Sequence, residues 1–595
     1  MNNRHRAGRV VAVGVTVALS LVTWLRPAGA GLSFTGSETV LLPHAWNEVI
    51  EEGGVFAAIG STFEAPDDRV LRLSTDGGRT WTAAGETCSS AGVGTALAGA
   101  PGGGWGVAAV VDGELVFCRS TDGGFTWEAE IVLSEEAEGT VASYGGWSRH
   151  DLESGGGGTW LATWLQRDEL AGTNFVMAAR SGDSGASWAA PVHLTTPAYE
   201  GAGINWGRPS VETDGTDTWL ISWEITTGPG EREIAYVRST DAAASWGPIE
   251  FINTNHTATV GHYRPDLATD GQGNWVAVWV GDYPYPRPGC SWCLIGNINV
   301  AYSSDNGASW SDTSLLHGSF LRSPGDDEEP RVAVDGLGRW LVAWRSNDAL
   351  GGRVGRTDWD PLVSHSRDAG RSWSAPAAVS PAAGGNGENT GWAPKLAASD
   401  SGDWVLMSWG SAPGNVYVST RDCTLAPASG CTAGDKSGLK IKHPRRGARA
   451  GLSWKWKSNS GVAVADFADP TTGSDYLLCA WEQVGASPTL VLETDVAADA
   501  DCQGSPCWTA RAGEGFSYRD KEHSSGVVGR VGLRAKRGRG RIKFQAGGVS
   551  FLAPVLPLSV DPGVTVQLHN RSNGACWDAE YSSPRRNNDR LFVAR

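Results

Sequence analysis

The sequence predicts an all-β protein: a seven-bladed β-propeller built on aspartate-containing turns, followed by a small C-terminal β-sandwich-like domain. Three observations carry this. Glycine accounts for 80 of 595 residues, and tryptophan is present 29 times against 11 tyrosines and 13 phenylalanines, a composition that suits turns and sheets rather than a helical bundle. A turn of the form Ser-x-Asp-x-Gly-x-Ser/Thr-Trp recurs along the chain, and an apolar strand, most often carrying paired tryptophans, precedes it. Charged residues at 19% and hydrophobic ones at 41% exclude a mostly disordered chain.

In chain order, Arg4, Arg6 and Arg9 precede an uncharged run from Val10 to Leu25 that closes on Ala28-Gly29-Ala30, the small-x-small pattern of a secretory cleavage site. Residues 1–30 are therefore expected to be an export signal, with the mature chain starting near Gly31. The alternative is an uncleaved anchor, for which the run falls short of the ~20 residues a spanning helix needs. No later segment is apolar enough to span, so no transmembrane segment is expected after removal of the signal. Taking away its four arginines leaves 45 basic against 65 acidic residues, a net charge of −20. Ten cysteines in an exported chain point to disulfides. Sequence proximity suggests Cys88 with Cys118, Cys290 with Cys293, Cys423 with Cys431 and Cys502 with Cys507, leaving Cys479 with Cys576; the connectivity stays open.

Residues 31–430 hold the repeat. The turn starting at Ser74 returns from Ser120, Ser181, Ser239, Ser303 and Ser366. The strands TWLATW from Thr159, TWLISW from Thr218, NWVAVW from Asn274, RWLVAW from Arg339 and DWVLMSW from Asp403 form the second element, with weaker copies from Val55 and Gly104. Each unit reads as four short strands A to D with the aspartate turn between C and D, which is a propeller blade. Seven units share 400 residues, about 57 each. The seventh lacks its strand D, and Ser37 to Pro43 resembles one, so the N-terminal strand is expected to close the ring against the strand around Val416 to Ser419. In the turn, the aspartate accepts bonds from backbone N–H groups, glycine supplies positive φ, and tryptophan packs on a neighbouring sheet. Regular recurrence assigns Asp76, Asp122, Asp183, Asp241, Asp305 and Asp368 to structure.

These turns resemble the Asp box of the sialidase (neuraminidase, BNR-repeat) superfamily over about 350 residues, from Ser74 to a degenerate copy near Ser419. The resemblance implies glycan recognition and exo-α-sialidase-type hydrolysis, with three arginines on a substrate carboxylate, a tyrosine nucleophile paired with a glutamate, and an aspartate acid. Asp boxes also occur in xyloglucan-cleaving enzymes, sorting receptors and photosystem assembly factors. Sialidases of this type have six blades, and their first arginine precedes the first box, whereas no arginine lies between Gly31 and Asp68 here.

Strand order sets functional groups at the beginnings of the A strands, opposite the Asp boxes. Eleven residues before the first tryptophan of each strand B stand Arg149, Arg208 and Arg264 in three successive units, then Glu329 and Ala393. Three guanidiniums on one axial cavity would chelate a carboxylate; pairing with acids around the channel is the other reading. Candidate acids are Asp326, Asp327, Glu328 and Glu329, and candidate tyrosines are Tyr263, Tyr283 and Tyr285. Asp-Gly turns such as ATDGQGN lack the full ligand spacing of a calcium loop, and no cofactor or metal is expected.

The balance of charge reverses in residues 431–595, with 23 basic against 16 acidic residues, compared with 22 against 49 in residues 31–430. Stretches such as KSGLKIKH, YLLCAWEQ, RIKFQAG and VTVQLHN read as strands. The cluster from Arg534 to Arg541 suits an anionic polysaccharide or a cell surface, a solvated strand face, or docking on the acidic propeller. A glycan or glycoconjugate is the expected partner, and the export signal argues against nucleic acid. The competing function is a non-catalytic scaffold or adhesion protein; oligomeric state is not legible.

Overall fold

The computed structural model describes residues 35–37 and 44–595, apart from 63–68, 79, 88–92, 101–103, 135–139, 142, 145–146, 169–172, 196–207, 229–230, 254–260, 285–293, 318–324, 337, 348–358, 375, 380–391, 401, 410–414, 420–422, 424–425, 444–449, 485–486, 499, 501, 503–504, 522, 524–526, 549–550, 552 and 555. Among the described residues no helix is long and apolar enough to cross a membrane. The fold is an all-β propeller followed by a two-sheet sandwich.

Seven antiparallel sheets repeat the A-to-D order, the third with one extra short strand. Their A strands are His44–Glu52, Val93–Ala100, His150–Ser154, Ser210–Thr213, His262–Thr269, Asp327–Val334 and Trp392–Ala398. Each A strand contacts those of the sheets before and after it, and the last contacts the first, so the sheets form a closed cycle. Closure comes from Thr35–Ser37, which pairs with Val418, Tyr417 and Val416 in the seventh sheet. The closing strand thus lies slightly earlier than expected; residues 38–43 lie outside the described residues.

Strand B owes its composition to its place between two neighbours. The segment Trp340–Ser346 is buried at every residue, so the strand is covered on both faces rather than half-buried. Successive side chains go to opposite faces. Trp219, Ile221 and Trp223 pack with Leu161 and Leu165 of the preceding sheet, while Leu220 packs with Trp275 and Trp279 of the following one. Each fully buried aromatic contributes about 1.5–3 kcal/mol. A Cβ on Gly106 would come within 2.0 Å of the Trp160 ring, so only glycine leaves room for the indole.

At the opposite end from the A-strand starts, all six Asp-box aspartates share one geometry. Oδ1 accepts the backbone N–H four residues on at 2.8–2.9 Å, and Oδ2 accepts that residue's hydroxyl at 2.5–2.7 Å. The preceding serine donates to Oδ1 and receives the N–H of the fifth turn residue at 2.8–3.0 Å. Hydroxyl and backbone donors hold the Asp122, Asp183 and Asp241 carboxyls at about 2. A latch not expected from the sequence joins neighbouring turns: Arg119, Arg180 and Arg238 donate to the carbonyls of Ser184, Ala242 and Asn306 in the next sheet. Between the fifth and sixth sheets the arrangement is exchanged, with Arg371 lying over the Tyr302 ring.

The C-terminal sandwich has a five-stranded sheet, in spatial order Thr432–Ala433, Cys576–Tyr581, Val564–Asn570, Tyr476–Val484 and Ser487–Val496. Its partner sheet has eight strands: Trp508–Arg511, Gly515–Arg519, Val528–Lys536, Arg539–Gly547, Gly451–Ser458, Lys436–Lys442, Leu591–Ala594 and Arg586–Asn588. Alternation along Tyr476–Val484 divides the burial. Tyr476, Leu478 and Ala480 enter the core between the sheets, whereas Leu477, Cys479 and Trp481 pack on the other side with Cys423 and Leu490. The guanidinium of Arg367, from the sixth Asp box, donates to the Leu490 carbonyl on that side.

Two disulfides differ from the expected pairing. Cys423 bonds Cys479 and Cys431 bonds Cys576, while Cys502 bonds Cys507 as expected. Sequence proximity failed because Thr432–Ala433 runs parallel to Trp577–Asp578, bringing Cys431 to Cys576, and the outer face of the Cys479 strand meets Cys423. Cys118 is disulfide-bonded; Cys88, Cys290 and Cys293 lie outside the described residues.

Candidate functional site

The A strands of the second, fifth, sixth and seventh sheets share a bulge near their starts. Register slips between Tyr263 and Asp266, Glu328 and Arg331, and Trp392 and Lys395, each time over an X-Pro pair, and between Val93 and Ala96. The residue in the slip is left-handed in three strands, Gly94 at φ 67°, Arg264 at 57° and Glu329 at 54°. A non-glycine residue there costs about 1–3 kcal/mol, and bulges of this kind re-aim side chains. Here they separate two groups of charges.

The first group lies on the axis. The Arg208 guanidinium is 3.4 Å from Glu48 and 3.4 Å from Asp151. Glu48 belongs to the first sheet and Arg208 enters the fourth, and sheets so far apart in the cycle meet only across its middle. Lys395 of the seventh sheet reaches the same Glu48 oxygen at 2.9 Å, and Arg331 lies 3.6 Å from Asp266. Three cations thus face three carboxylates. Burial works against the charge on Glu48, but Lys395, Arg208 and Arg331 outweigh it and hold the carboxyl below its ordinary value. Burial brings Lys395 down to about 8 despite that partner, with Arg208 and Arg331 adding to the effect. Further along the channel, burial and nearby carboxylates raise Glu153, beside Asp151, and Glu212, beside Glu153 and Asp266.

The second group lies around the starts of the fifth and sixth sheets. Arg264 pairs with Glu328 at 3.1 Å and Glu329 at 2.8 Å. Glu328 also takes the Arg345 guanidinium, which lies over the Trp359 ring. The Tyr263 hydroxyl donates to Asp282 Oδ1 at 3.0 Å, with the guanidiniums of Arg232 and Arg264 5.9 and 5.8 Å from its ring. A Cβ on Gly296 would be 3.7 Å from the Tyr263 oxygen, and the Gly296 N–H donates to Asp326 at 3.2 Å. Burial, then the Asp282 and Glu328 charges, raise the Tyr263 phenol above its ordinary value. Burial raises Asp282 too, against the Tyr263 hydrogen bond and Arg232.

Arg149, Arg208 and Arg264 therefore do not all converge, although Arg149 and Arg264 both act on Glu224. Arg208 belongs to the axial group, Arg264 to the rim, and Arg149 is buried within the field of Glu224, a carboxylate that also feels Arg232 and Arg264. Tyr263, Asp326 and Glu329 do share one region. Asp327 is held by His317 at 3.0 Å and Trp344 at 3.0 Å, Tyr283 bonds Asn299 at 2.5 Å, and Tyr285 lies outside the described residues. Sequence reasoning missed Asp151, Asp266, Arg331 and Lys395, although counting nine residues back from the same tryptophans reaches all of them. It also missed Asp282, whose signal is its place seven residues after Trp275 at the end of strand B.

Among the described residues one His/Cys/Asp/Glu grouping has metal-like spacing, Cys431, His569 and Cys576, and its two thiols are joined in the disulfide. The Asp-Gly turns are closed by their own aspartates, as where Asp270 accepts Gln272 N at 2.9 Å and Asn274 N at 3.1 Å.

No protein-family model matches this chain, and no curated protein matches it. Solved structures do show a likeness. The α-L-arabinanase of Penicillium chrysogenum, complexed with arabinobiose, is 15% identical, covers 55% of this chain and 92% of its own, and has a TM-score of 0.37. A Hadza microbial sialidase is 16% identical over 55% of this chain and 65% of its own, with a TM-score of 0.33. The β-propeller domain of the trilobed protease from Pyrococcus furiosus is 8% identical over 66% and 98%, with a TM-score of 0.37. At these values nothing about this chain rests on the likeness, and its fold is read from its own strand pairing.

Proposed function

We propose that the protein is an exported, glycan-active propeller acting at the axial face, and that its chemistry is sialidase-type glycoside hydrolysis centred on Tyr263. The observation that carries this reading is the 3.0 Å hydrogen bond from the Tyr263 hydroxyl to Asp282, between two guanidiniums and beside further carboxyls. Asp282 takes the phenol proton as the oxygen attacks the anomeric carbon, and burial makes that carboxylate a better base than a free aspartate. With Glu329 taken up by Arg264, Asp326 gives its proton to the leaving oxygen as the glycosidic bond breaks. Water then displaces the tyrosine from the anomeric carbon, its proton returning to Asp326 and that of Asp282 to the phenolate, so that two carboxyl groups serve the reaction as glycosidases generally require. The substrate carboxylate falls to Arg264 and Arg232 at the rim, with Arg149 behind them. Disulfides in the described chain support an extracellular setting; the organisation that goes with this reading is signal 1–30, propeller 31–430 and basic module 431–595.

The test is hydrolysis of a panel of aryl glycosides, sialosides and arabinosides included, by the wild type and by Tyr263→Phe and Asp282→Asn. Each variant is expected to lose activity by about 10²–10⁴-fold with an unchanged melting temperature. Full activity in both variants, or cleavage of none of the panel by the wild type, counts against the enzyme. The latter result favours the scaffold reading, for which the specific support is that Arg208 and Arg264 already hold carboxylates.

A further inference from the structure

The eight-stranded sheet of the C-terminal module carries an arrangement that folding alone does not favour. Strand registers set Arg534 opposite Arg541, Arg541 opposite Lys457, and Lys457 opposite Lys436, a row across four adjacent strands. One pair further along, Lys543 stands opposite Lys455. The side chains of the four-residue row are exposed, while the alternate positions, such as Leu533, Ile542 and Trp456, point into the core. Like charges directly opposite one another destabilise a sheet, and no carboxylate lies within ion-pair distance of any of the four among the described residues. At the edge, Glu514 pairs with Lys536 at 2.6 Å. The field reaches its own members: the Lys543 ammonium is lowered by slight desolvation together with Arg530, Lys455 and Arg541.

The acidic propeller does not neutralise this face. The sandwich meets the propeller through the five-stranded sheet, where Cys423 bonds Cys479 and Arg367 reaches Leu490. The eight-stranded sheet packs its inner face on the opposite side of that same sheet, so its outer face is directed away from the propeller.

We propose that this outer face binds an anionic polysaccharide, a linear chain bearing carboxylate or sulfate groups laid across the strands. Cationic side chains recur along the row at the strand spacing of ~4.8 Å, giving a flat, repeating array that matches a polymer of repeated charge rather than one small ion. Disulfides in this module suit an environment where such polymers are met. The site is separate from the axial face, so it stands or falls independently of the hydrolase reading.

The experiment is binding of the full chain to polygalacturonate and heparin, with neutral dextran and a double-stranded DNA as comparisons. Both anionic polysaccharides are expected to bind, dextran not at all, with affinity falling steeply between about 50 and about 300 mM salt as screening shortens. The triple variant Arg534→Gln, Arg541→Gln, Lys457→Gln is expected to bind at least about tenfold more weakly and to melt at the same temperature or higher, since it relieves repulsion. Binding by the triple variant equal to wild type overturns the proposal. So does tighter binding of DNA than of either polysaccharide, which assigns the face to nucleic acid.

Discussion

The two ends of the propeller are made from the same repeat and treat it in opposite ways. At the Asp-box end, six copies of one turn keep one hydrogen-bond set, down to a few tenths of an ångström. At the axial end, equivalent A-strand positions hold glutamate in the first sheet, alanine in the second, aspartate in the third, serine in the fourth, then aspartate, arginine and lysine. Those side chains meet near an axis, where seven identical charges would repel one another at short range. Repetition therefore serves a structural job done separately in each blade, and divergence serves a job done once by all of them together.

The comparison breaks most sharply at Lys395. Replacing it with methionine leaves the Glu48 carboxylate without its 2.9 Å partner in a buried network, at a cost of about 3–5 kcal/mol. Thermal melting is expected to show a fall of several degrees, and an unchanged melting temperature means the axial charges are not coupled as described. Ser303→Ala at the other end deletes one of six equivalent hydroxyls, leaving the buried Gly307 N–H and one Asp305 bond unmet. The expected loss is about 1–3 kcal/mol with ligand binding and turnover unaltered; selective loss of activity at wild-type stability contradicts a purely structural turn.

A smaller effect separates the ends by pH. Burial raises Asp266 to about 6, and raises Glu153 and Glu212. The folded protein holds these protons more tightly than the unfolded chain. Their contribution to stability is present in full below the ordinary carboxylate range and is lost as pH rises through the raised values. Melting temperature is expected to drift down between about pH 5 and pH 8, with a flatter profile in Glu153→Gln. The Asp-box carboxyls, held at about 2, add no slope in that window, so an equally steep profile in the variant points away from the channel.

These differences also explain what the sequence made legible. Asp76 through Asp368 were readable because each is held by residues within four positions of itself, and local chemistry repeats as a pattern. The paired tryptophans were readable because every strand B faces the same kind of neighbour. The partners of Arg208 come from the first and third sheets, 160 and 57 positions away, and the repeat marks their equivalent positions without saying which cation meets them. Arg264 was found by spacing, but the bulge that gives it φ 57° and turns it to Glu328 and Glu329 belongs to two strands at once. The cysteine pairs failed for a related reason: 56 and 145 positions separate the true partners, and sheet pairing joins them.

The closing strand has a consequence for how the molecule is made. Ser37 pairs with Val416, so the earliest strand of the ring waits for nearly the last. In a chain delivered N-terminus first, six sheets can assemble while Thr35–Ser37 has no mate and both flanks of the growing arc stay open. Joining ends so distant adds only slowly to the entropic cost, which grows with the logarithm of the loop, but it comes late, and unpaired edges are then available to other chains. The disulfide from Cys423 to Cys479 forms just beyond the closing partner. It acts as a bolt set behind a door, anchoring the end of the ring to the module that follows once the first strand has come home.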